Sequence, residues 1–383
     1  MFYLGMDVGT MFVAAAKPAS GNSLSVVKKR NCFIIIKGNK FNQQMYTKNT
    51  SVDWMPWEGG DIALIGDSAM GYANSAPTAL QVRRPLKKGI LNKTEKDAYP
   101  MLCAIVESVA GTAPGGGTCT LSIPAPTIDV EYLVDHHRDV LLQILGKLGW
   151  RVQTVHEGYC VILSSLAESQ FTGIGISFGG GMVNCSFSFL AEEMFAFSMQ
   201  KSGDWVDQVA SESSRFSVPE ITDIKETRFS LDEDNIGKDG AWQIESAYQS
   251  LIEATVENIC VAFESLERPP RVKDPLPVAI AGGTSMVPGF AKRFEERLRA
   301  SRFPVPIGRV FSADDPLFAV CKGALLHAQT AEDEPAEVAP APEPQVQAPV
   351  VPMPQPEPVP AAHPAVPQIP AGFRPTQSRE DKK

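Results

Sequence analysis

Two stretches of this chain follow one plan. FYLGMDVGTMFVAAAKP (2–18) and GIGISFGGGMVNCSFSF (173–189) each carry an apolar strand into a small or acidic residue, then glycine, then a second strand. Asp7 aligns with Ser177, and Gly9 with Gly179. Apolar character continues past each glycine, so each stretch reads as a β-hairpin whose tight turn bears glycine. A pair of such hairpins, one in each half, predicts a duplicated domain with two turns facing one cleft.

The 383 residues are 44% hydrophobic, enough for two cores of ordinary size. Strands are expected at 2–7, 11–17, 24–37, 118–123, 151–155, 173–178, 182–189, 193–199 and 277–281. Helices are expected at 66–73, 95–110, 129–149, 158–169, 204–214, 218–227, 241–267, 289–301 and 316–329. The mixture predicts an α/β fold with more than one sheet. From about Asp333 proline recurs at nearly every third position with few large apolar residues. Such a segment cannot bury enough surface to offset its ordering entropy, so 332–383 is expected to be a disordered, polyproline-leaning tail, a linker or a strip that docks a partner protein.

A net charge of −9 without a dense Lys/Arg cluster argues against nucleic acid. The seven cysteines, at 32, 103, 119, 160, 185, 260 and 321, show no ligand spacing and read as buried apolar residues of a reducing compartment. Asp7 interrupts the N-terminal apolar run and no run approaches the ~18 residues of a spanning helix, so the expected location is cytoplasmic. TAPGGGT (112–118) reads as a flexible surface turn, and His136-His137 as solvated helix surface. Met11-Phe12 and WMPW (54–57) are candidates for exposed apolar loops.

Three readings of a glycine turn can be tested. GxxxxGK[ST] and GxGxxG are both absent, which removes the P-loop and the dinucleotide fingerprint. Gly175-Ile176-Ser177-Phe178-Gly179 matches GxSxG, but a nucleophile elbow needs a helix after the serine, and here a strand follows. The remaining reading is a pair of backbone nests for a phosphate chain, with Asp7 holding Mg²⁺ through water. A third glycine site, VAIAGGTSMVPGF (278–290), joins a strand to a helix, where paired glycines let a flat group lie on the backbone.

In this order and at these separations, the three segments resemble the phosphate 1, phosphate 2 and adenosine motifs of the actin/Hsp70/sugar-kinase superfamily. Further stretches resemble bacterial actins of the MreB type: IALIGDSAMGYANSAPTALQVRRPLKKGIL (62–91), TVHEGYCVILSSL (154–166), SGDWVDQV (202–209), TDIKE (222–226) and SADDPLFAVCKGAL (312–325). The resemblance covers roughly 3 to 330. It implies the actin-like ATPase fold, duplicated ribonuclease H-like domains flanking a nucleotide cleft. Domain I would be 1–150 plus 310–331, and domain II 151–309.

The resemblance also implies site residues. Thr10, Met11 and Phe12, after Gly9, would offer backbone N–H groups to the phosphates, and Gly179, Gly180 and Gly181, followed by Met182, would cradle them from the other domain. Gly203 and Asp204 belong to the stretch similar to the family's GGDxxD. Thr222, Lys225 and Glu226 would flank adenosine, with Gly282, Gly283, Thr284 and Ser285 beneath it. Asp7 would serve Mg²⁺, and Glu157 would orient the attacking water. Three positions depart from the family: Ser177 replaces the second acid, Met182 the usual Thr or Val, and Gly158 the usual Pro. The segment 230–243, in the region of longitudinal filament contacts, is shorter than its MreB counterpart. The implied function is an ATP-binding cytoskeletal protein that assembles into filaments, with slow hydrolysis because Ser177 removes an anchor for Mg²⁺-bound water. The alternative is a non-polymerising ATPase switch or scaffold regulator. Membrane contact, frequent in MreB-like proteins, has no amphipathic N-terminal helix to support it here.

Overall fold

The computed structural model describes residues 2–330 apart from 22, 50, 77–79, 114 and 130–133. All described residues belong to one unit, and the Pro-rich tail lies outside them.

The chain opens with β1 (Tyr3–Val8), β2 (Phe12–Pro18) and β3 (Leu24–Arg30), successive antiparallel neighbours. Next come β4 (Phe33–Ile36), α1 (Lys40–Lys48), β5 (Trp54–Pro56), β6 (Ile62–Ile65) and α2 (Gly66–Ser75). β4, β6 and β5 form a separate three-stranded sheet. β7 (Leu86–Lys87) and β8 (Ile90–Leu91) make a small hairpin. α3 (Ala98–Ala110), β9 (Gly117–Ile123), α4 (Val134–Lys147) and β10 (Trp150–His156) follow, and β9 and β10 add in parallel to β1. The first main sheet therefore runs β10-β9-β1-β2-β3.

α5 (Glu157–Ser165) leads to β11 (Gly173–Phe178), β12 (Val183–Phe189) and β13 (Glu192–Met199), again antiparallel neighbours. α6 (Gly203–Glu212), α7 (Val218–Thr227) and α8 (Ala241–Glu264) precede β14 (Leu276–Ala281), α9 (Phe290–Ala300), β15 (Ile307–Ser312) and α10 (Ala319–Thr330). The second sheet runs β15-β14-β11-β12-β13, with β14 and β15 parallel to β11. This order repeats the first sheet strand for strand, so the echo between the two hairpins extends to the whole layer.

Each sheet carries its own core, because strands covered on both faces by helices must be apolar throughout. β11 and β9 are buried along their full length. The second core gathers Phe178, Phe187, Tyr248, Phe290 and Phe294; Phe178 meets Phe290 edge to face at 4.8 Å. The first is mostly aliphatic, built on Leu4, Met6, Ile105, Leu121 and Leu145 with Phe33 and Trp150.

Several sequence expectations need correction. The run 24–37 is two strands in two sheets, because Asn31 leaves the ladder to bond the first hairpin turn. His137 is buried, not solvated: it lies on the face of α4 that also buries Val140, Leu141 and Ile144. Trp54 is not in an exposed loop; it is half-buried in β5, 6.2 Å from the ring of Tyr46. β5 to β8, β15 and α1 carry no sequence expectation. The two-residue β7 and β8 are too short for a period, and α1 is polar, marked only by the Asn39–Asn42 capping box at its start.

Candidate functional site

β1–β2 and β11–β12 close through turns of the same form. Gly9 N–H donates to Phe12 O at 2.9 Å, and Gly179 N–H donates to Met182 O at 2.9 Å. The ladders beneath place Asp7 opposite Ala14 and Ser177 opposite Asn184.

The tips of the two turns touch. A Cβ on Gly181 would collide with Thr10 Oγ1 and with the Gly89 amide nitrogen, and one on Gly180 with the Met11 side chain. The glycines thus have a second cause besides a backbone nest: only a residue without Cβ lets one turn lie against the other. The β7–β8 hairpin seals this contact. Gly89 N–H donates to Thr10 Oγ1 at 2.9 Å, and Arg84 reaches Asp204 of α6 at 3.4 Å. Met11 and Phe12, candidates for an exposed loop, instead face a cavity, and Phe12 also lies beneath the Lys28 ammonium at 4.8 Å.

A cavity of about 460 Å³ opens beside the two turns. Asp7, Gly9, Thr10, Met11 and Phe12 line it from the first half. Gly179, Gly180, Gly181 and Met182 line it from the second, with Glu157 at the start of α5. Asp204, Lys225, Glu226, Gly282, Gly283 and Thr284 line its remaining walls. Three expected residues stand behind the wall. Thr222 Oγ1 donates to Asp207 Oδ2 at 2.8 Å, Gly203 N–H donates to Gly179 O at 3.2 Å, and Ser285 Oγ donates to Gly282 O at 2.8 Å.

The lining also includes Gly89, Asn184, Asp207, Phe229 and Tyr248, which sequence reasoning did not single out. Asp207 was within reach: it stands three residues after Asp204 on one helix, so both acids share a face. It pairs with Lys225 at 2.7 Å in a nearly buried ion pair. Phe229 and Tyr248 stack with ring planes 13° apart, and the Tyr248 hydroxyl donates to Thr284 O at 3.0 Å. That contact joins distant segments and leaves no local sequence signal.

The electrostatics converge on two carboxylates. Asp7 accepts from Ser122 Oγ at 3.2 Å, yet loss of hydration raises its pKa well above the usual carboxylate range. Glu157 is raised too, first by burial and then by the charge of Asp7. Hydrogen bonds from Ser177 and Asn184 oppose that shift; Asn184 Nδ2 donates to Glu157 Oε2 at 2.8 Å. Asn184 is itself fixed, since its Oδ1 accepts from Ala125 N–H at 3.3 Å. Two acids therefore face the cavity close enough to repel each other, which is where a cation is favoured.

The family described as Volactin matches residues 2–328, nearly all of the described chain. This protein belongs to the Volactin family. No curated protein matches the chain in sequence. Among solved structures, the MamK double helical filament superposes with a TM-score of 0.63 at 17% identity, covering 86% of this chain and 98% of that one. MreB5 of Spiroplasma citri bound to ADP gives a TM-score of 0.59 at 15% identity, covering 86% of this chain and 96% of that one. The same MreB5 bound to AMPPNP gives 0.59 with equal coverage. At these identities the likeness establishes the fold. The Volactin chain has the actin-like ATPase fold, and the repeated sheets described above are the two halves of that fold. Among its described residues no helix is long and apolar enough to cross a membrane, and no three His, Cys, Asp or Glu side chains cluster as a metal cage.

Proposed function

We propose that this chain binds ATP with Mg²⁺ between its two halves and assembles into filaments in a nucleotide-dependent way. The observation that carries the reading is the meeting of two matched glycine turns and two charge-strained carboxylates on one cavity. Backbone amides of such turns suit an anionic phosphate chain, and hard carboxylate oxygens suit Mg²⁺. Asp7 offers a single carboxylate, so it would hold hydrated Mg²⁺ through water beside the phosphates. When bound, Mg²⁺ would neutralise part of the phosphate charge. The walls formed by Gly282–Gly283, Phe229 and Glu226 would take the nucleoside, with Lys225 and Thr222 supporting that side.

Glu157, fixed by Ser177 and Asn184, would orient water towards the terminal phosphate, since phosphoryl transfer to water needs mostly positioning. Ser177 donates a hydrogen bond where an acid would add charge, which favours slow turnover. The fold likeness supports assembly: one neighbour is described as a double helical filament, and another was crystallised with ADP and with AMPPNP. The two domains, 1–150 plus 310–331 and 151–309, would set their closure by what lies between them. We assign the tail, 332–383, to partner recruitment on its composition, and place the protein in the cytoplasm on its seven unbridged cysteines. Pelleting and electron microscopy of the full-length protein with ATP, ADP and no nucleotide test the assembly. Filaments that depend on ATP are expected; a protein that binds ATP yet stays monomeric would make it a switch instead.

A further inference from the structure

An amide turn attracts an anion only if its carbonyls point elsewhere. In a planar trans peptide the C=O and the following N–H point in opposite directions. Tying one carbonyl back therefore aims the next N–H forward.

In the second turn this is done several times over. Gly179 O accepts from Thr284 Oγ1 at 2.9 Å and from Gly203 N–H at 3.2 Å. Gly180 O accepts from Ser202 Oγ at 2.7 Å and from Asp204 N–H at 2.7 Å. The N–H groups so aimed are those of Gly180 and Gly181, and no hydrogen bond among the described residues engages either.

In the first turn one residue does this work. Asn31, between β3 and β4, donates from Nδ2 to Gly9 O at 2.9 Å and from its backbone N–H to Met11 O at 2.9 Å. It is 1% exposed, and its own Oδ1 has no partner among the described residues. Those two bonds aim the N–H groups of Thr10 and Phe12. Asn31 lies outside all the glycine motifs and does not line the cavity.

We propose that Asn31 is a positioning residue for anion binding, holding the first turn so that its N–H groups face the phosphate chain. The proposal rests on the nucleotide reading above for the identity of the anion. The second turn has four donors and tolerates the loss of one; the first has a single residue and does not.

The test is calorimetry of the full-length protein with ATP, ADP, adenosine and inorganic pyrophosphate, each with Mg²⁺. Asn31→Ala removes the Gly9 bond, and Asn31→Asp keeps the shape while turning a donor into an acceptor. Thermal melting checks that each variant folds, so one folded variant suffices. Roughly tenfold weaker ATP, ADP and pyrophosphate binding is expected, with adenosine unchanged. Ser202→Ala, which leaves the Asp204 N–H on Gly180 O, should change phosphate affinity by less than threefold. An equal loss for adenosine and ATP would show a merely structural role and overturn the proposal, as would unchanged ATP affinity in a folded variant. If the wild type takes pyrophosphate but neither ATP nor adenosine, the nucleotide reading fails, and Asn31 stands or falls on pyrophosphate alone. If it takes none of the four, both fail.

Discussion

The two halves are built alike and equipped differently. Each sheet has three parallel strands followed by two antiparallel ones, in matching order. Each places a glycine two residues before its key position, where a helix crosses the strand: Gly5 under α10 and Gly175 under α5. At the cavity the symmetry stops. The first half presents Asp7, which accepts a hydrogen bond from Ser122; the second presents Ser177, whose neighbour on β14 is Ala281. The first turn carries the bulky Thr10-Met11 and the second the bare Gly180-Gly181 that receives it. Ala14 faces Asp7, whereas Asn184 faces Ser177 and donates to Glu157. Duplication supplied the scaffold, and the divergence separated the two matched positions: the first hairpin brings a carboxylate at Asp7, the second a hydroxyl at Ser177 and room at its turn.

That division can be broken most severely at the tips. Gly181→Val puts side-chain volume where Thr10 Oγ1 already lies. Overpacking of this kind costs roughly 1–3 kcal/mol, so ATP should bind roughly 5- to 150-fold more weakly by calorimetry. Adding Thr10→Ala should recover part of the loss; no recovery would mean that the turns do not press on each other.

A second difference lies in the cores. The first half buries His137, whose pKa is pushed down to about 4 by burial and by the neighbouring His136. The unfolded chain takes up this proton near its usual value of about 6.5 and the folded one does not, so stability falls as pH drops through the window from 6.5 to 4. About 2 kcal/mol should be lost by pH 5. His137→Leu, judged by denaturant melts at pH 7 and pH 5, should remove most of that dependence. An unchanged dependence would show that another group sets it.

The smallest effect sharpens the contrast between Asp7 and Ser177. Ser177→Asp puts an acid near the end of β11, matching Asp7 on β1, and should raise steady-state ATP turnover by roughly tenfold. It should also lower stability slightly, because a third carboxylate joins two that already repel. A wild-type rate as fast as that of the variant would remove the role given to Ser177.

The hairpins, their alignment and most of the cavity wall were legible in the sequence, because each depends on a local pattern: period-2 apolar runs ending at glycine. Three kinds of feature were not. Asn31, Asn184 and Tyr248 act through partners far along the chain, and no local pattern marks a residue whose bond is to a distant carbonyl or carboxylate. The sheet of β4, β5 and β6 is made of strands of three or four residues, too short to show a period. His137 reads as surface when paired with His136, and only the burial of the helix face it shares with Val140 and Leu141 shows otherwise. The contact between the turns belongs with the first kind: the glycines were visible, but the second reason for them was not.

The central claim is that the cavity between the halves holds a metal–nucleotide complex, with the first half supplying the carboxylate. Calorimetric titration of the full-length protein with ATP, with and without Mg²⁺, in wild type and Asp7→Asn, tests it most directly. One site per chain that tightens with Mg²⁺ is expected in the wild type, with that Mg²⁺ dependence lost in the variant. A folded wild-type protein that takes up no ATP, or an Asp7→Asn variant that keeps the full Mg²⁺ dependence, would contradict it.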